Sequence, residues 1–225
     1  MRIKLPLLFT ILSVSIGFSQ IPSGYYSSAT STGFTLKTQL KNIISNGHID
    51  QGYSALYDAY VTSDTDSFYE NDNTVLDIYS ENPSGSDSYN YNHNTRNCGN
   101  YNSENDCYNR EHIFPQGFFN SQTPMRTDIH HVVPTDGYVN GRRSNYPFGE
   151  VSNATWTSSN GSKVGNNTFD TFSGNVFEPI DEFKGDVARM LFYFATRYEN
   201  EVTDSSWDDP DDSESNPLNG TNSQV

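Results

Sequence analysis

Leu36, Leu40, Ile43 and Ile44 recur at three- and four-residue spacing in TLKTQLKNIISN, which predicts a helix with one buried face. Thr35 is its expected cap and Gly47 its stop. Tyr53 to Tyr60 carries Leu56, Tyr57 and Tyr60 at similar spacing. Thr74 to Ser80 (TVLDIYS) alternates instead, and a strand is predicted over Val75–Tyr79. From Glu81 to Asp106 the chain is Asn, Ser, Gly and Tyr with few aliphatic residues, the pattern of a long surface loop. The last strong periodicity is IDEFKGDVARMLFYFATRYE, where Ile180, Phe183, Val187, Met190, Leu191, Phe194 and Tyr198 form an apolar stripe behind Pro179. That predicts a core helix. Helices and strands in this order make the expected class α+β, and 225 residues suit one domain with a substantial core.

Both ends differ from this middle. Arg2 and Lys4 precede an apolar stretch from Leu5 to Phe18, the layout of a secretory signal peptide over residues 1–19. The apolar run is short for a membrane span. Export, to the periplasm or outside the cell, without stable membrane association after cleavage is therefore expected. The globular domain is expected over residues 20–202, and residues 203–225 form an acidic, Asn/Ser-rich end with few apolar residues to pack.

Charge complicates the reading. The formal net charge is −15, which opposes polyanions at long range. The acids are concentrated, however: Glu199 to Glu214 contains eight acidic residues and no basic one, whereas Tyr108 to Tyr146 holds Arg110, Arg126, Arg142 and Arg143 with His112, His130 and His131. Cys98 and Cys107 are the two cysteines. In an exported chain they predict one disulfide closing a short loop, and their spacing does not suit a zinc knuckle. No GxxxxGK[ST] loop is present, which argues against nucleoside triphosphate use.

Two segments carry candidate chemistry. CYNREHIFPQGFFN sets Glu111 beside His112 shortly before Pro115; on a regular strand these neighbours face opposite ways, so a shared site needs a bend or twist. TDIHHVVPTDGYVNGRR predicts a short helix capped by Thr135 or Asp136, carrying Asn140 toward its end before Gly141. A phosphodiester hydrolase needs activated water, neutralised phosphate charge and help for the leaving oxygen. Histidine suits the base, Glu and Asn oxygens suit a magnesium-type ion, and arginine suits the phosphate.

The run from Cys107 to Gln116, the run from Thr127 to Glu150, and Phe177 to Arg189 together resemble the endonuclease I family of exported bacterial nucleases, as does the Gly24-Tyr25-Tyr26 region. The resemblance implies a ββα-metal (His-Me finger) fold with mixed helices and a small antiparallel sheet. It implies that Glu111 and Asn140 hold one divalent ion, magnesium, with calcium or manganese as substitutes. His112 would activate water, cutting DNA, and RNA as a further substrate, to leave 5'-phosphate ends. Arg110, Arg142, Arg143 and Arg189 are candidate phosphate contacts. Arg142 and Arg143 have a solvated face as their alternative, and Arg189 an ion pair with Glu178 or Asp186. His130 is expected to be structural and His131 dispensable, and Arg126 is given no role. A monomer is expected. Relatives in the family continue past the position of Val225, so a shortened end is expected. Two rivals stand beside this reading: a zinc hydrolase using His112, His130 and His131, and a calcium-stabilised surface protein suggested by Asp204 to Glu214.

Overall fold

The computed structural model describes residues 21–169 and 173–202. The expected signal peptide and the acidic end from residue 203 lie outside the described residues. The elements in chain order are helix α1 (Gly33–Ser45), helix α2 (Leu56–Ser63), strand β1 (Tyr108–His112), strand β2 (Val132–Asp136) and helix α3 (Gly137–Arg143). Strands β3 (Val151–Thr157), β4 (Lys163–Asn167) and β5 (Asn175–Glu178) follow, then helices α4 (Asp181–Arg197) and α5 (Glu199–Val202). β1 and β2 pair antiparallel as one ribbon, and β3-β4-β5 form a second antiparallel sheet. The result is a mixture of helices and two small sheets, where one sheet was expected. No helix among the described residues is long and apolar enough to cross a membrane.

α4 forms over the predicted stripe. Asp181 and Glu182 occupy its first turn and Arg197 its last, complementing the helix dipole at both ends. Phe183 and Val187 enter a core with Ile78, Tyr79, Ile113, Val133, Val139, Val164 and Phe177. One end of the same helix sends Phe194 into a second cluster with Phe114, Phe119, Met125 and Tyr198. The stacking of Phe114 on Phe194, with ring centroids 4.2 Å apart, ties the segment after β1 to α4.

Three expectations are corrected. α1 forms, but none of its residues is buried, and Thr32 rather than Thr35 precedes it. Its apolar stripe is only half covered, and polar bonds from Thr38 to Glu199 and from Lys41 to Asn200 help hold the helix in place. Val75–Tyr79 is not a strand: Val75 makes an isolated bridge to Thr65, and the chain then turns. The cause is Asp77, whose carboxylate accepts from Tyr79 N at 2.9 Å and from Ser80 Oγ at 2.8 Å, a local side-chain turn that competes with sheet pairing. Finally, α3 does not stop at Gly141 but runs on to Arg143, ending at Ser144 with φ 54°. Gly141 instead admits Tyr101, whose hydroxyl would lie 2.5 Å from an added Cβ.

The segment from Glu81 to Asp106 forms no helix or strand, as expected, yet it is more than a surface loop. Tyr91 is 1 % exposed, and its hydroxyl donates to Asp136 at 2.6 Å.

Candidate active site

β1 and β2 pair in continuous register from Tyr108 opposite Asp136 to His112 opposite Val132. One further backbone bond, from Ile113 N to the His131 carbonyl, carries the pairing past the end of β1. α3 then starts directly on Asp136, whose side chain accepts from Val139 N at 2.8 Å. This is the carboxylate cap expected at a helix start. Asp136 also takes the Tyr91 hydroxyl and Asn105 N, while its own N–H donates to Asp77. The turn at Asp77 that breaks the predicted strand therefore supports the start of α3.

This ribbon and helix line a cleft of about 530 Å³ that includes Tyr53, Arg110, Glu111, His112, Asn140 and Arg143. Glu111 and His112 thus reach one cavity although they are consecutive strand residues. Glu111 is 2 % exposed and His112 4 %. The Oε1 of Glu111 faces Arg143 at 3.1 Å and accepts from the Tyr79 hydroxyl at 3.0 Å. Both partners use the same oxygen of this cleft-lining carboxylate, Oε1. Burial pushes the Glu111 carboxyl up to about 7 against the opposing pull of Arg143 and Tyr79.

His112 Nε2 lies 3.2 Å from the Arg126 carbonyl. A carbonyl only accepts, so Nε2 carries the proton and Nδ1 is the basic atom of the ring. Burial, with the charge of His131, pushes His112 down to about 3, which keeps the ring neutral near pH 7. Asn140 donates from Nδ2 to Asn109 Oδ1 at 2.8 Å, an arrangement that turns its own Oδ1 away from Asn109. A carboxylate oxygen and an amide oxygen at one cleft form a hard donor set that fits a magnesium-type ion.

The arginines divide. Arg110 lines the cleft, donates to the Tyr53 carbonyl at 2.8 Å and lies over the Tyr53 ring at 3.5 Å. Arg126 covers the same ring at 4.1 Å, so Tyr53 sits against two guanidinium groups. Arg143 lines the cleft but is 1 % exposed, and it donates to the His112 and Ile113 carbonyls besides pairing with Glu111. Arg142 and Arg189 do not line the cleft. Arg142 lies over Trp156 at 5.3 Å, and Arg189 is an exposed partner of Asp186 one turn away.

The histidine expectations are reversed in burial. His130 is exposed and its ring packs on Tyr193 with centroids 4.9 Å apart. His131 is fully buried, with Nε2 at 2.7 Å from the Met125 carbonyl. Among the described residues the three imidazoles do not gather around a common point for an ion, which removes the basis of the zinc alternative. Cys98 and Cys107 are joined as a disulfide, tying the loop to the start of β1. Tyr79, Tyr53 and Asn109 were missed from sequence. A tyrosine or asparagine in a Tyr- and Asn-rich chain carries no local signal.

The chain matches the Endonuclease I family over residues 32–225. It is 36 % identical over 180 residues to an extracellular ribonuclease of Bacillus subtilis (strain 168), covering 79 % of this chain and 54 % of that protein. An extracellular ribonuclease of Bacillus amyloliquefaciens is 35 % identical over 178 residues, 78 % of this chain and 53 % of the relative. An Endonuclease-1 of Buchnera aphidicola subsp. Acyrthosiphon pisum (strain APS) is 29 % identical over 75 residues, 33 % of this chain and 28 % of the relative. This chain spans about half the length of the two Bacillus relatives. No solved structure matches it significantly. With the match running through both strands of the ribbon, α3 and the cleft they line, the chain belongs to the Endonuclease I family.

Proposed function

We propose that this chain is an exported nuclease that hydrolyses phosphodiester bonds of DNA and RNA through a ββα-metal site, with His112 as general base and Glu111 and Asn140 as ligands of one divalent cation, magnesium. The observation that carries the reading is the His112 bond to the Arg126 carbonyl, which supports Nδ1 as the free proton acceptor in a cleft that Glu111 and Asn140 also line. Antiparallel β1 and β2 leading directly into α3 support the fold assignment. The relatives' names, extracellular ribonuclease and Endonuclease-1, support the substrate class and export, as does the basic-then-apolar beginning of the chain.

In this mechanism His112 takes a proton from the attacking water at Nδ1, while the Arg126 carbonyl holds Nε2–H and the ring's orientation. Arg110, braced on Tyr53, offers charge to a phosphate in the cleft. Arg143 and Tyr79 hold the Glu111 carboxylate in place through Oε1. The cation, when bound, supplies Lewis-acid stabilisation of the phosphate and of the leaving 3' oxygen. Products carry 5'-phosphate ends. Contacts of this kind read the backbone and leave the base sequence unread.

The test is cleavage of plasmid DNA and of RNA by wild type and His112→Ala, with EDTA and magnesium add-back. Removal of a general base lowers the rate by about 10²–10⁴-fold, and circular dichroism should show the fold retained. Wild-type cleavage by the folded variant removes His112 as the base, and cleavage insensitive to EDTA removes the cation.

A further inference from the structure

A second set of oxygen ligands lies apart from the cleft. Asp66 stands just beyond the end of α2, Glu70 in the loop that follows, and Glu81 directly after the turn at Asp77. One carboxylate oxygen from each lies within 4.8 Å of the others. None of the three lines the cleft, and none forms an ion pair among the described residues.

The three carboxylates differ in what surrounds them. Asp66, 2 % exposed, is fixed by its own loop: Oδ1 accepts from Phe68 N and Tyr69 N, and Oδ2 from Asn71 N at 3.0 Å. Glu70 is exposed. Glu81 is 1 % exposed, and its Oε1 is buried with no hydrogen-bond partner among the described residues. A buried carboxylate oxygen without a donor is costly unless a cation or a proton completes it. Burial, then the charges of Asp87, Glu70 and Asp66, push Glu81 up to about 8. Among the described residues no basic side chain pairs with any of the three.

We propose that Asp66, Glu70 and Glu81 form a binding site for a hard divalent cation of the calcium type, joining the loop after α2 to the turn that supports α3. All-oxygen ligands on irregular backbone suit calcium, which accepts six to eight oxygens in flexible geometry, better than magnesium, which demands a near-ideal octahedron. The bound ion is structural. It cross-links Asp66 to Glu81, and through the Asp77 turn, whose carboxylate receives Asp136 N, it stiffens the start of α3. This inference does not depend on the nuclease reading.

The test is calcium titration of the chelator-treated chain, followed by calorimetry and by thermal melting, in wild type, Glu70→Gln and Asn140→Ala. Glu70 is exposed, so its substitution leaves the fold intact; Asn140→Ala removes the amide ligand of the cleft. The expected result is a calcium-dependent rise in Tm in wild type and in Asn140→Ala, with affinity for this site at least tenfold weaker in Glu70→Gln. An equal calcium response in Glu70→Gln and wild type overturns the proposal. So does loss of the whole response in Asn140→Ala, which would place the binding in the cleft. Absence of any calcium response in wild type at millimolar concentration also overturns it, and would mean that a shared proton, not an ion, relieves the cluster.

Discussion

Glu111 and Arg143 meet at 3.1 Å with side chains 2 % and 1 % exposed, so the acid of the REH run is matched by a base 32 positions later in a nearly water-free contact. Removing one member of such a pair strands the other charge. Arg143→Met is therefore expected to destabilise the fold by about 3–5 kcal/mol, measured by urea unfolding. Arg143→Lys should restore little, because one ammonium cannot serve Glu111 together with the His112 and Ile113 carbonyls that the two Nη atoms now reach. A variant as stable as wild type would show that the pair does not hold the site.

Asn109 acts through Asn140. Its Oδ1 takes Asn140 Nδ2 at 2.8 Å, and without that acceptor the amide is free to flip or turn. Asn109→Ala should raise the magnesium concentration for half-maximal cleavage by about 10–100-fold, the usual cost of losing a group that orients a ligand, with the melting temperature little changed. Unchanged magnesium dependence would remove Asn109 as a positioning residue.

Asp128 should shape the acid limb of stability. Burial raises its carboxyl pKa, but the Tyr198 hydroxyl at 2.6 Å, the charge of His131, His130 N and the Tyr193 hydroxyl outweigh it and hold the group below its ordinary value. A folded value below the unfolded one contributes stability that is present above the unfolded pKa of about 3.9 and is lost as pH falls through the folded one. Asp128→Asn should thus be less stable than wild type at pH 7, and the difference should shrink below about pH 4. Melting curves from pH 7 down to about 2 test the sign.

Gly165 is fixed by strand packing. A Cβ there would stand 2.1 Å from the Asn153 carbonyl oxygen and 2.7 Å from Val151 Cγ1, where β3 and β4 pair through register shifts. Gly165→Ala must push the two strands apart, an overpacking cost of about 1–3 kcal/mol or more, read as a lowered Tm. An undisturbed Tm would show that the β3 bulges absorb a methyl group.

Legibility from sequence followed the range of the forces involved. α4 was readable because its stripe of Phe183, Val187 and Phe194 meets a core directly, and Asp136 as a cap is a local hydrogen bond. Val75–Tyr79 misled because alternation cannot register that Asp77 bonds its own backbone and then receives Asp136 N from 59 residues away. α1 misled in degree: periodicity reports a stripe, not how completely other elements cover it. Within the site, Glu111, His112 and Asn140 stood out by residue type and do share the cleft. The arginines did not sort themselves, because a guanidinium on a phosphate, on a tyrosine ring or on a buried glutamate looks the same in sequence. Arg143 and Arg110 were separated only by what each touches.

The contact of Arg110 with Tyr53 means that the REH segment is not a self-sufficient module. Tyr53 lies well upstream of β1, and Arg110 and Arg126 both rest on its ring. A peptide from Cys107 to Arg143 would contain the proposed base, ligands and helix yet lack one wall of the cavity. Transplanting those residues into another scaffold would therefore carry the proposed chemistry without the surface that braces Arg110, and a graft would need the segment at Tyr53 as well.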